Sequence, residues 1–72
     1  MSEPTAERHV RFNDDPEGGW IVTGTRKLPV EAHTTTREGA VDEARKALEG
    51  VGGGVLYIHD TDGSVQQQQP VD

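Results

Sequence analysis

Hydrophobic and polar residues alternate with a period of two from His9 to Asn13, which is the pattern of a strand with one buried face. Two further stretches, Trp20 to Thr23 and Val55 to His59, are instead rich in β-branched and aromatic residues, which also favour strands. Turn-forming residues follow the first stretch at 14–19 and the third at 60–63. Each of these two strands is therefore expected to begin a β-hairpin.

A helical period replaces the alternation between Thr36 and Glu49, where alanines, valine and leucine recur at spacings of three and four. Thr35 and Glu38 match a capping box, in which the threonine accepts a hydrogen bond from the Glu38 amide. Gly50 is expected to end the helix in the left-handed conformation. The apolar stripe is narrow and alanine-rich, which predicts a helix lying close against a sheet.

Two connections have less regular patterns. Residues 24–34 are predicted to form a long connection, because Pro29 lacks the N–H that a central strand needs, with a short edge strand as the alternative. Residues 51–54 contain a glycine run after a helix end, which indicates a flexible connector.

The predicted order of elements is β-β-α-β-β, with a fourth strand from Ser64 to about Gln68. The predicted fold class is α+β, a two-layer sandwich in which one helix packs on a small, mainly antiparallel sheet. The sequence does not determine the order of the strands, because the crossover allows the third strand to lie beside either of the first two. The single domain is expected over residues 9–65, between a disordered tail at 1–8 and a glutamine-rich tail at 66–72, of which the first residues extend the fourth strand and the rest fray.

Three motifs appear in order along the predicted domain. They are Gly18-Gly19-Trp20-Ile21-Val22, Thr36-x-x-Gly-Ala-Val-x-x-Ala-Arg, and Leu56-x-Ile58-His59-x-x-Asp62-Gly63. This set resembles the bacterial and phage family known as domain of unknown function 2188, over about residues 9–65. The resemblance implies the fold, and since the family carries no established activity it implies no function.

Composition and charge exclude several classes of function. The 72 residues hold 13 acids, 7 bases and no cysteine, so the chain has one domain and neither disulfides nor thiolate chemistry. No apolar run approaches a membrane span, and no signal peptide is evident, so we expect a cytoplasmic protein without a membrane partner. The net charge of −6 argues against binding to nucleic acid, which is itself negatively charged. The acidic, lysine-poor composition would suit a salt-rich, halophilic cytoplasm.

The sheet face away from the helix is the main candidate for function. It is expected to carry Ile21, Val55 and Tyr57 with His59 at the flank, and this cluster is more apolar than a face in water requires. We therefore predict an interaction face for a homodimer or a protein partner. No nucleophile motif or carboxylate pair is present, so we expect neither enzymatic activity nor a cofactor.

Two alternatives remain open. The first is a nucleic-acid accessory protein that acts through a strip formed by Arg8, Arg11, Arg26 and Lys27. The second is a metal or small-ligand binder through His9 and His59, with a carboxylate from Asp60 if the two strands pair. The histidine spacing matches no standard metal motif, so the sequence assigns no metal site.

Overall fold

The computed structural model describes residues 6–26 and 29–72. Its elements are β1 (Glu7–Phe12), β2 (Trp20–Thr23), β3 (Val30–Thr34), α1 (Arg37–Gly50), β4 (Gly54–His59) and β5 (Val65–Val71). The strands form one sheet in the order β3-β2-β1-β4-β5, in which β1 and β4 are parallel and the other neighbours are antiparallel. This is the predicted α+β arrangement of one helix on a mainly antiparallel sheet, and it places β4 beside β1.

The additional strand β3 occupies the segment that the sequence assigns to a long connection. It begins at Val30, directly after Pro29, and pairs with β2 through Ile21↔His33 and Val22↔Ala32. It lies at the edge of the sheet, so the expected alternative of a short edge strand is the correct one. An N-terminal proline is compatible with this position because the strand needs no N–H before its first residue.

Both ends of the domain extend further than the sequence predicts. Glu7 and Arg8 belong to β1 and pair with β4, whereas residues 1–5 of the expected tail lie outside the described residues. At the other end, β5 continues to Val71, which pairs with Gly54 and packs against the core. The strand predicted to about Gln68 is thus present and longer than expected, and the fraying predicted beyond it is wrong for residues 69–71, because β4 pairs with this segment.

The helix caps differ from the predicted ones by one or two residues. The N-cap is Thr36 rather than Thr35, and its hydroxyl accepts from the Gly39 amide at 3.0 Å. Since glycine occupies the third helical position, no capping box with Glu38 forms. At the other end, Gly50 is helical and Val51 is the C-cap.

The glycine run after α1 makes specific contacts where the sequence suggests a flexible connector. The amide of Gly53 donates to the Leu48 carbonyl at 2.7 Å, and Gly53 itself has a φ of +106°. A glycine with positive φ directly after the last turn is a common way for an α-helix to end. A side chain on Gly54 would collide with the backbone of Ala6 and the side chain of Leu48. These glycines therefore allow the chain to turn from α1 directly into the centre of the sheet.

The core lies between α1 and one sheet face. It consists of the fully or almost fully buried side chains Val10, Val22, Ala40, Ala44, Leu48, Leu56 and Ile58. Trp20 packs against this cluster and meets Phe12 edge-to-face at 5.5 Å, on the predicted core side. The small side chains of Ala40 and Ala44 allow α1 to approach this face of the sheet closely. The helix covers this face and not the opposite one.

Candidate functional site

The sheet face opposite α1, called the open face below, holds a row of polar side chains at its centre. Because side chains alternate along a strand and Val10 and Ile58 are in the core, their neighbours point the other way. The central residues of the open face are Glu7, His9 and Arg11 on β1 and Val55, Tyr57 and His59 on β4. The register places His9 beside Tyr57 and Glu7 beside Val55.

A continuous chain of hydrogen bonds crosses this face from Glu7 to the turn after β4. Nε2 of His9 lies 2.9 Å from Oε1 of Glu7, and Nδ1 of His9 lies 2.7 Å from Nε2 of His59. Nδ1 of His59 lies 2.9 Å from the Gly63 carbonyl oxygen. The chain therefore ties β1 to β4 and β4 to its hairpin turn.

The bonding partners determine where the protons of this chain lie. A carbonyl oxygen only accepts, so His59 donates from Nδ1 and its Nε2 accepts from Nδ1 of His9. The other nitrogen of His9 then donates to the Glu7 carboxylate. Each bond thus has one donor and one acceptor, and the chain ends at two acceptors, the Glu7 carboxylate and the Gly63 carbonyl.

The surroundings of the two end groups agree with this arrangement. Burial lowers the pKa of His59 below its ordinary value of 6.5, the hydrogen bond to the Gly63 carbonyl opposes this in part, and the charge of Arg11 lowers the pKa further. The hydrogen bond from His9 lowers the pKa of Glu7 below its ordinary value of 4.5. His59 is thus held neutral and Glu7 ionised.

Ring stacking and a second polar contact order the rest of the face. The rings of His9 and Tyr57 are nearly parallel, with centroids 4.7 Å apart. Nε of Arg11 donates to the Thr23 hydroxyl at 3.1 Å, and Thr23 is completely buried although it lies on the open face. Long side chains of this face therefore cover its shorter ones.

The predicted interaction face is present in part. Ile21, Val55 and Tyr57 do lie on the open face and are half-buried, but the strand order places β1 between Ile21 and the other two. The expected continuous apolar cluster is thus divided by Glu7, His9 and Arg11. His59 is only 6% exposed, so it supports the face from below.

The predicted basic strip does not form as a unit. Arg8 and Arg11 are three residues apart on β1 and therefore point to opposite faces of the sheet. Nε of Arg8 lies 3.2 Å from the Glu31 carboxylate, and because this contact lacks hydrogen-bond geometry it is an ion pair only. Arg26 is exposed after β2, and Lys27 lies outside the described residues.

The predicted histidine pair does meet, because β4 lies beside β1. The carboxylate in contact with it is Glu7 rather than Asp60, whose Oδ1 accepts from the Thr61 amide. All four ring nitrogens have partners within the chain of hydrogen bonds, so a metal ion would have to displace one of them. Within residues 6–26 and 29–72, no three metal-binding side chains converge.

Sequence reasoning overlooked Glu7 as a member of this site. Glu7 precedes His9 by two residues, which is the spacing of neighbours on one strand face, but the expected tail at 1–8 concealed this signal. The two-residue period of β2 already places Thr23 on the same face as Ile21, and the antiparallel register adds that it lies beside His9.

A cleft with a volume of about 220 Å³ opens at the end of this face, beside the turn after β4. It is lined by Arg11, Asn13, Ile21, His59 and the turn residues 60–63, among others. The Asn13 amide donates to the Gly18 carbonyl at 2.9 Å, and Asp62 accepts from the Ser64 hydroxyl at 2.7 Å. These polar groups already bind their own turns, so the cleft wall is occupied by internal hydrogen bonds.

Comparison with known proteins agrees with the resemblance and extends its range. In the described part of the chain, no helix has the length and apolar character needed to cross a membrane. No curated protein and no solved structure matches the chain. A family model described as an uncharacterized protein conserved in bacteria (DUF2188) matches residues 8–70, nearly the whole sequence. The chain therefore belongs to the DUF2188 family.

Proposed function

We propose that this protein is a small, non-enzymatic interaction module that self-associates through its open sheet face. The observation that carries the proposal is the stack of Tyr57 on His9, flanked by half-buried Val55, on a face that no other described element covers. Its side chains are held in place before any partner arrives, which reduces the entropy lost on binding.

Three features favour a second copy as the partner. Among the described residues, seven buried hydrophobic side chains form the core, and a domain of this size gains stability from a staple or from oligomerisation. The sequence has no cysteine to supply a disulfide. Two identical sheets packed face to face would bury Tyr57 and Val55 of both copies in one step.

The β5 edge of the sheet is less suited to association than the open face. Val55 donates its amide to Ala6, so its backbone groups point toward β1 and away from β5. Pro70 lies opposite Val55, and its nitrogen therefore faces the free edge, where it has no hydrogen to donate. The register of β5 also shifts between Ile58 and His59. Proline and irregularity are both devices that discourage edge pairing.

The closed chain of hydrogen bonds supports the non-enzymatic part of the proposal. It begins at a carboxylate and ends at a backbone carbonyl, with no ring nitrogen left free to act on a substrate. General acid–base catalysis needs such a free position within hydrogen-bond reach of the substrate.

The two alternative functions have less support than self-association. A nucleic-acid interface would use exposed ring faces, but the facing sides of His9 and Tyr57 contact each other. A metal site would need to break the hydrogen bond between the two histidines.

Sedimentation equilibrium at low and at molar salt tests the proposal. We expect a dimer that Tyr57→Glu or Val55→Lys converts to a monomer of unchanged fold. Val51→Lys is the matched control, because Val51 is 60% exposed at the C-cap of α1 and does not lie on the open face. A wild-type chain that stays monomeric at millimolar concentration in both buffers would overturn the proposal.

A further inference from the structure

We infer that the open face is self-complementary in charge, so that two copies stack with antiparallel β1 strands and Glu7 of each copy contacts Arg11 of the other. This inference rests on the proposed self-association and specifies its geometry. Its basis is the order of charges along β1, with Glu7 at one end of the open face, Arg11 at the other and His9 midway between them.

The symmetry of a face-to-face dimer follows from this order. A two-fold axis that lies between the sheets, perpendicular to β1 and level with His9, reverses the direction of the second strand. The same axis keeps the side-by-side order of the strands in the second sheet. Each strand therefore lies opposite the same strand of the other copy. Glu7 then faces Arg11 at both ends, whereas parallel stacking would oppose two glutamates and two arginines. Like charges in such positions are destabilising.

Distances permit this arrangement. Glu7 and Arg11 are four residues apart, so each lies about 6.6 Å from His9 along the strand. Stacked sheets are about 10 Å apart and cross at about 30°, which displaces these positions sideways by roughly 3 Å. Arginine and glutamate side chains extending from opposite sheets can span that gap.

The residues at the level of His9 fit the same axis. Tyr57 is beside His9 in the register, so it would face Tyr57 of the second copy near the centre of the interface. Tyrosine is enriched at the centre of interfaces because it combines a large apolar area with a polar end. The reciprocal ion pairs would thus flank a central aromatic contact.

The test uses two charge-reversal variants, Glu7→Lys and Arg11→Glu, alone and mixed. Each variant alone presents like charges at both ends of the interface, and we expect its self-association to weaken at least ten-fold. In the mixture, every end of a heterodimer pairs opposite charges, so association should return to near the wild-type level. Isotope labelling of one variant and native mass spectrometry would identify the heterodimer.

The control pair is Glu43→Lys and Arg45→Glu on α1, where both residues are exposed and away from the open face. Each control variant should associate as the wild type does, with no preference for heterodimers. If the wild type dimerises but the open-face mixture does not recover, the charge register is wrong and self-association remains. If the wild type is monomeric, self-association and the register fail together.

Glu7→Lys also removes the hydrogen bond to His9, so its fold must be checked by thermal unfolding. If it does not fold, Glu7→Gln and Arg11→Gln replace the reversals, because glutamine keeps an acceptor at position 7. Each is then expected to weaken dimerisation several-fold and reduce its salt dependence. Dimerisation unchanged in both glutamine variants would overturn the inference.

Discussion

The two faces of this sheet are stabilised by different interactions. On the face covered by α1, Leu56 and Ile58 of the sheet pack with Leu48 and the alanines of the helix, and the contact is apolar and almost completely buried. On the open face, Glu7, His9 and His59 form consecutive hydrogen bonds. Dry packing depends on volume, whereas the polar chain depends on protonation and on every member having its partner.

This difference shows how one strand can serve two purposes. Val10 contributes to the core, and the residues on either side of it in β1 build the polar face. The covered face is expected to respond to changes in side-chain size and the open face to changes in pH. Substitutions on each face can separate these two sensitivities.

The largest effect is expected from Leu48→Ala, at the centre of the covered face. Leu48 is completely buried, and its truncation should lower the free energy of unfolding by about 3 kcal/mol through lost transfer energy and a cavity. Urea denaturation measures this loss. Glu49→Ala, next to it and exposed, is the control and should change stability by less than about 0.5 kcal/mol. A loss below about 1 kcal/mol for Leu48→Ala would contradict the tight helix packing.

A smaller effect is expected from His59→Ala on the open face. It leaves Nδ1–H of His9 without its acceptor in a largely buried position, so we expect a loss of about 2 kcal/mol in the free energy of unfolding. His33→Ala is the matched control, because His33 is exposed and bonds only the Gly18 carbonyl. Equal losses in the two variants would show that the chain of hydrogen bonds adds nothing to stability.

Acidification should weaken the open face selectively. Since folding lowers the pKa of His59 and Glu7, the native state binds fewer protons than the unfolded state as the pH falls. The stability that these groups contribute is fully present above pH 6.5 for His59 and above pH 4.5 for Glu7. It is lost progressively as the pH falls below those values.

NMR titration and urea denaturation between pH 8 and 3 check this pH dependence. The His59 ring should titrate at a pH below 6.5. Glu7→Gln should reduce the loss of stability that occurs below pH 4.5. Leu48→Ala should leave the pH dependence of stability as it is in the wild type. A His59 midpoint at or above 6.5 would show that the ring is not held neutral in the native state.

The smallest effect is expected from the exposed ion pair on α1, which lies on neither face. Nζ of Lys46 lies 3.3 Å from Oδ2 of Asp42, one helical turn earlier in an i,i+4 arrangement. Removing their interaction should lower the free energy of unfolding by about 0.3–0.5 kcal/mol. This contribution should vanish in molar salt. A double-mutant cycle with Asp42→Ala and Lys46→Ala measures it. A coupling energy above 1 kcal/mol would mean that the pair is less solvated than its exposure indicates.

Local patterns along the chain determined the helix, four of the five strands and the faces on which their side chains lie. Alternation identified Val10, Trp20 and Val22 as core-facing, and the spacing of Ala40, Ala44 and Leu48 identified the buried stripe of α1. The turn at residues 60–63, with Gly63 at φ +93°, was also evident from its residue types. These features depend on neighbours in sequence, so they can be read from the sequence alone.

Only the tertiary structure decided which strands are neighbours. The parallel pairing of β1 with β4 joins residues 48 positions apart and brings His9 to His59, while the strand order separates Ile21 from Val55 and Tyr57. Pairing with β4 also determines that the last strand continues through residues 69–71. Such long-range pairing depends on the packing of the whole sheet, so the polar chain from Glu7 to Gly63 is a property of the fold rather than of any segment.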